Sequence, residues 1–224
     1  MEQSGNRLEN IARTLYPVMM TNPLLSRHTH RPKPGLAFLP GLSLAKTRVH
    51  EFCGPARRTL ALIAARATDG PVFWITPGWM QDRLHGEGVL GLINPGRLTL
   101  IAPRRPEDIL WTMEEVLRAG CVPFVVCELP GLPHLTPVRR LHLAAETAAR
   151  DHATSPIGLL LIAGAGGAPA VESRWHMKPA HDGDRQRWHL ERRRARMEPV
   201  AGWQVEQMKD GFTVQPQREG VAVG

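Results

Sequence analysis

Short, wholly uncharged apolar runs alternating with amphipathic stretches are what most restricts the fold of this chain. Val122–Cys127 and Ile157–Ala163 contain no charged residue. Such runs predict strands buried on both faces, as in a parallel sheet covered by helices. Val49–Phe52, Pro71–Thr76 and Arg97–Ala102 read as further strands. Between them, Ala56–Ala67, Pro106–Ala119 and Thr136–Arg150 repeat apolar residues at helical spacing. In the second of these, Ile109, Leu110, Met113, Val116 and Leu117 form one stripe, Pro106 suits the first turn and Gly120 stops the helix. Gly78–Gly91 is Gly-rich, with room for one helical turn. The expected class is α/β: a mostly parallel sheet with helices on both faces.

After Gly164 the pattern changes. Gly164–Ala170 is a Gly/Ala turn, and Val171–Met177, Arg187–Arg196 and Gly202–Gln207 alternate like strands of an antiparallel extension. At the other end, Leu8, Ile11, Leu15 and Val18 share a helical face, followed by Pro17, Pro23, Pro32 and Pro34, which break regular structure. Residues 1–40 therefore read as a partly disordered arm, 41–207 as the folded domain and 208–224 as a flexible polar tail. Lys plus Arg outnumber Asp plus Glu 28 to 21, giving +7 and a pI near 10.1. A basic balance suits nucleic acid or an acidic protein partner. Cys53, Cys121 and Cys127 are odd in number and lack Cys-x-x-Cys spacing, which argues against a disulfide framework or a zinc site. No apolar run is long enough to span a membrane, and Met1–Asn10 is too polar for a signal peptide.

Val49–Arg66 reads as strand, Gly-Pro turn and helix, the place where a phosphate-binding loop would lie. That loop needs Gly-x-x-x-x-Gly-Lys-Ser/Thr, so that backbone N–H groups wrap the phosphates, Lys neutralises charge and the hydroxyl holds Mg²⁺. Aligned from Gly54 without a gap, Leu60 and Ala61 take the Lys and Thr positions. With the loop shortened by two residues, Arg58 and Thr59 take them, and the second Gly is lost. Cys53 stands at a helix entrance, where a thiolate is favoured. His50, three residues upstream on a strand, points to the opposite sheet face, so Cys53 reads as a core-edge residue. His28 with His30, and Glu128 with His134, lack a third ligand, and no metal or other cofactor is expected.

Val-His-Glu-Phe-Cys-Gly-Pro (49–55), the helix 104–120 followed by Pro-Phe-Val-Val-Cys-Glu-Leu (123–129), Arg-Arg-Leu-His-Leu-Ala-Ala-Glu (139–146), Glu172–Trp175 and Arg187–Glu191 occur in an order that resembles the RecA-like fold. Within it the chain is similar to the ImuA/SulA-type relatives of bacterial RecA, over roughly 36 to 206. The resemblance implies a RecA-like domain and places a Mg²⁺-shell carboxylate at Glu128. It also implies a water-activating Glu near Gly78, but Thr76–Trp79 holds no carboxylate. The γ-phosphate-sensing polar residue is replaced by Ala163–Gly167. The degenerate nucleotide-site set is Gly54, Arg58, Thr59 and Glu128.

The role implied is a non-catalytic accessory of the SOS DNA-damage response. It would bridge RecA and DNA to an error-prone replicative-type polymerase in translesion synthesis, with an ImuB-type Y-family-like partner, in the cytoplasm near the nucleoid. Alternatives are a SulA-like cell-division inhibitor, or a divergent weak ATPase using Arg58, Thr59 and Glu128. The loops that hold single strands in RecA correspond to Leu129–Pro137 and Gly164–Ala170, which lack Arg, Lys and aromatic residues. DNA or partner contact is expected instead from Arg187, Arg192, Arg193, Arg194 and Arg196.

Overall fold

The computed structural model describes residues 35–217. The helical stripe Leu8–Val18 and the end of the tail lie outside them. In chain order the strands are β1 (Gly35–Leu39), β2 (Leu42–Ala45), β3 (Val49–Cys53), β4 (Val72–Ile75), β5 (Leu98–Ile101), β6 (Phe124–Leu129), β7 (Ile157–Ile162), β8 (Ser173–Pro179), β9 (Arg187–Ala195), β10 (Ala201–Met208) and β11 (Gly211–Pro216). The helices are α1 (Arg57–Arg66), the single turn α2 (Gly86–Leu90), α3 (Pro106–Ala119) and α4 (Leu135–Asp151).

Nine strands form one mixed sheet in the order β11-β10-β9-β8-β3-β7-β6-β4-β5. From β8 to β5 every neighbouring pair is parallel, while β8–β9, β9–β10 and β10–β11 are antiparallel. The parallel part is covered on both faces. On one face Leu60, Ile63 and Ala64 of α1 pack on Phe52, Trp74, Phe124 and Leu159. On the other, Ile109, Met113 and Leu117 of α3 and Val138, Leu141 and Ala145 of α4 pack on Val49, Ile75, Val125 and Leu160. The inner strands β6 and β7 are thus buried on both sides, which is why their apolar runs show no alternation, while the edge strand β5 is half-exposed. The extension differs: Trp175, Met177, Trp188, Leu190 and Val205 join the α1-side core, and their neighbours do not.

Three boundaries depart from expectation. β1 lies within the segment read as arm, yet it forms an antiparallel hairpin with β2, and its Phe38 and Leu39 join Leu42 and Leu44 in the core. Phe38 meets Trp175 edge-on at 5.3 Å, so a chain partner more than a hundred residues away orders it. β11 falls in the segment read as flexible tail: it pairs with β10 from Gly211↔Met208 to Pro216↔Trp203 and packs Phe212 and Val214 against the core. β6 begins two residues later than its apolar run and continues through Glu128. Pro123 has no N–H to give a ladder, and only its carbonyl is used, by Ile157 N–H at 2.9 Å.

The hairpin is tied to the sheet by a buried polar chain. His50 Nε2 donates to the Ala45 carbonyl at 3.0 Å, since a carbonyl only accepts. Its Nδ1 therefore accepts the Ser173 hydroxyl at 2.7 Å, and Ser173 Oγ accepts Trp175 Nε1–H at 2.7 Å. Burial holds the ring neutral and lowers its pKa to about 4. The unfolded chain, with an ordinary value of 6.5, takes up the proton first as pH falls, so stability declines between those two values. Half-buried His142 is shifted the same way by burial and adds to that decline. Between pH 6.5 and 5 the wild type is expected to lose about 1.5 kcal/mol more than His50→Gln, read from urea midpoints at each pH. Parallel pH profiles would remove His50 as a source of the slope.

Candidate functional site

Where β3 turns into α1, three backbone donors that could face an anion are already engaged. Gly54 N–H donates to the Gly164 carbonyl at 2.9 Å, Ala56 N–H to the Met177 carbonyl at 3.1 Å, and Arg57 N–H to the Gly54 carbonyl at 3.3 Å. Gly54 has φ +89°, and a Cβ there would lie 2.5 Å from the Met177 carbonyl oxygen. The glycine thus serves the close approach of β8 to the turn, and β8 occupies space that a phosphate would need.

Behind this turn lies Glu128, a carboxylate only 2 % exposed. Its Oε2 accepts Arg58 Nε at 2.9 Å and Arg58 Nη2 at 2.7 Å. Its Oε1 accepts the indole N–H of Trp74 at 2.8 Å and the Thr76 hydroxyl at 3.2 Å. Arg58 Nη2 also donates to the Asp82 carbonyl at 2.9 Å, fastening the loop after β4. The carboxylate that would approach Mg²⁺ in an ATPase is thus neutralised by the side chain standing in the Lys position. Four donors take up its lone pairs. Of the four residues expected at this site, Arg58 and Glu128 meet. Gly54 is packed against β8. Thr59 lines a separate groove of about 800 Å³ with Pro55, Glu87, His181 and Arg185. Trp74 and Thr76 were not anticipated as partners of Glu128. Their position on the strand next to β6 was the available signal, because β4 pairs with β6.

A second buried carboxylate, Glu51, sits on the opposite face of the sheet and was not singled out in the sequence. It is fully buried and accepts Gly167 N–H at 2.6 Å, Ala168 N–H at 3.1 Å and Arg174 Nε at 2.5 Å. Arg174 Nη2 also holds the Ala168 carbonyl at 2.8 Å. The Gly164–Ala170 loop is therefore folded over Glu51. Gly166 has φ +74°, and any Cβ there would strike Glu51 Oε1. Cys53 lies beneath the same loop, donating to the Ala165 and Trp175 carbonyls at 3.3 and 3.4 Å. Burial, and the neighbouring Glu51 charge, push its thiol up to about 11, so it is not an activated nucleophile. Among the described residues no three His, Cys, Asp or Glu side chains are grouped to hold a metal.

The arginines of β9 divide. Arg192 is buried, its guanidinium 5.4 Å from the Trp175 ring and 5.2 Å from the Trp203 ring, with Nε donating to the Pro199 carbonyl and an ion pair to Glu198. It holds the extension together and presents no charge to a ligand. Arg187 pairs with Glu206 at 3.0 Å, and Arg193 with Glu191 at 2.9 Å. Arg194 and Arg196 are exposed and take no acidic partner among the described residues. Strict alternation would have put Arg193 opposite Arg194. A bulge in the β8–β9 ladder, where Arg174 pairs with Arg194 and Trp175 with Arg192, leaves Arg193 as the extra residue.

The chain matches no protein-family model, and comparison with curated proteins finds no match.

Removing one partner of the Arg58–Glu128 pair strands a buried charge. Arg58→Ala is expected to cost about 3–5 kcal/mol, and Arg58→Met with Glu128→Leu to recover most of that loss. Chemical unfolding of the three proteins checks this; a loss under 1 kcal/mol for Arg58→Ala would show that Glu128 finds solvent instead. A thiol reagent should titrate Cys121 alone in the native protein and reach Cys53 and Cys127 only after denaturation, because those two are buried.

Proposed function

We propose that this chain is a non-catalytic interaction protein of the RecA-like class. In this reading it is an accessory of the SOS DNA-damage response that links RecA and DNA to an error-prone translesion polymerase and its ImuB-type partner. The Arg58–Glu128 pair carries the non-catalytic part of the reading: a site that neutralises its own carboxylate has no use for a nucleotide-bound Mg²⁺. Closure of the β3–α1 turn by the Gly164 and Met177 carbonyls supports it. The RecA-like assignment is supported by the sheet order, in which β7 separates the loop-bearing strand β3 from the Glu128 strand β6 and an antiparallel extension continues beyond β8. The divergent-ATPase alternative has less support, since Thr59 lines a groove that neither Arg58 nor Glu128 lines. Among the described residues no helix is long and apolar enough to cross a membrane.

Saturating ATP with Mg²⁺ is expected to leave the melting temperature unchanged. A ligand at a hundredfold its Kd would add about 2.7 kcal/mol to the folded state. Phosphate release that disappears in Glu128→Gln would overturn the non-catalytic reading. For the role itself, tagged protein from DNA-damaged cells is expected to recover RecA or translesion polymerase subunits. Recovery of the tubulin-like division protein in their place would favour a SulA-like inhibitor.

A further inference from the structure

The extension buries one face, and no helix among the described residues packs on the other. Trp175, Met177, Trp188, Leu190, Trp203, Val205, Phe212 and Val214 all belong to the α1-side core. On the opposite face, pairing places Lys178 beside His189, His189 beside Gln204, and Gln204 beside Gln215. His176 pairs across from Glu191, and Arg174 from Arg194. α4 packs on β3 and β7 and does not extend over these strands. Four strands at the usual spacing make this face about 15 Å across.

Its charge is one-sided. Each carboxylate on or beside it already has a cation: Glu191 with Arg193 at 2.9 Å, Glu206 with Arg187 at 3.0 Å, and Glu172 with Arg48 at 3.6 Å. Lys178, Arg194 and Arg196 are exposed and take no acidic partner among the described residues. Arg196 continues the line of Arg194, its N–H donating to the Glu172 carbonyl. Gln204, Thr213 and Gln215 add neutral donors of the kind that accompany cations on phosphates. We propose that this face binds the phosphate backbone of nucleic acid, with Lys178, Arg194 and Arg196 as its unpaired cations.

An acidic protein is the less fitting occupant. Stable protein interfaces need buried aromatic or aliphatic anchors, and every large aromatic side chain of the extension points to the core side. A phosphate backbone needs cations and hydrogen-bond donors and no apolar pocket. Contacts made to phosphates carry no sequence information, so this face predicts binding without sequence preference. The inference rests on the DNA-contact part of the proposed function but is tested apart from it: ATP reads the closed nucleotide site, and oligonucleotide reads this face.

The experiment is fluorescence anisotropy of a labelled 30-nucleotide oligodeoxythymidine with the full chain. Three phosphate contacts predict an affinity falling about 20-fold between 50 and 200 mM salt. Lys178→Glu with Arg194→Glu and Arg196→Glu should weaken binding at least tenfold. Arg104→Glu with Arg105→Glu and Arg139→Glu, exposed cations elsewhere on the molecule, should not. Equal losses from the two triples, or none from the first, overturn the assignment. So does tighter binding of poly-glutamate than of the oligonucleotide, which would point to an acidic protein. Because the first triple could fold poorly, acetylation of Lys178 in the wild type is measured with and without oligonucleotide. Protection supports the proposal, and unchanged reactivity overturns it.

Discussion

Burying a carboxylate is costly unless a cation and several hydrogen-bond donors meet it, and this sheet buries two of them near the carboxyl ends of its parallel strands. Glu128 is met by Arg58, Trp74 and Thr76, and Glu51 by Arg174 and two backbone N–H groups. The two pairs lie on opposite faces, and each also fastens a loop. Arg58 holds the Asp82 carbonyl, and Arg174 holds that of Ala168. The loops after β4 and β7 are therefore positioned by charge satisfaction and not by packing alone.

The crevice outside the carboxyl ends of an open α/β sheet is where such folds ordinarily take ligands. Here the part of that end around Gly54 and Glu128 is occupied by the protein's own groups, while the groove lined by Pro55 and Thr59 stays open beside it. The turn before α1 spends its N–H donors on carbonyls of Gly164 and Met177, and the carboxylate behind it is saturated. To admit Mg²⁺, Arg58 would have to leave and Glu128 would have to exchange a bidentate partner for a metal. The arginine at this position and the buried carboxylate require each other, since either charge alone would be stranded away from water.

The layered core was legible because its signals are local. α3 runs over the expected Pro106–Ala119: Pro106 sets its first turn, Ile109, Met113 and Leu117 its buried face, and Gly120 its left-handed cap. The uncharged runs were recognisable as buried strands for the same reason. What was missed depends on distant partners. Gly35–Leu39 and Gly211–Pro216 have no strong pattern of their own and become strands through Phe38 against Trp175 and Phe212 against Trp188. Arg58 and Glu128 were both suspected, yet as parts of a nucleotide site. That they neutralise each other across 70 residues of chain is a product of topology. The β9 arginines looked alike in sequence, and only the Trp175–Trp203 pair and the bulge at Arg193 sort them into buried, paired and free.

That sorting explains how one short strand serves two ends. Arg192 needs the aromatic rings on its core side, because a guanidinium shielded from water is stabilised by π faces and by its contacts with Pro199 and Glu198. Its neighbours Glu191 and Arg193 need no such shelter, since they neutralise each other on the other side. The bulge lets Arg193 reach both Glu191 and the Ala165 carbonyl, tying the extension to the loop that covers Glu51. The extension is thus anchored to the loop over Glu51, and the backbone of Lys178 and Arg194 is held in the paired strands β8 and β9. The loop folded over Glu51 and the polar face beside it share that anchoring, through Arg174 on one strand and Arg193 on the next.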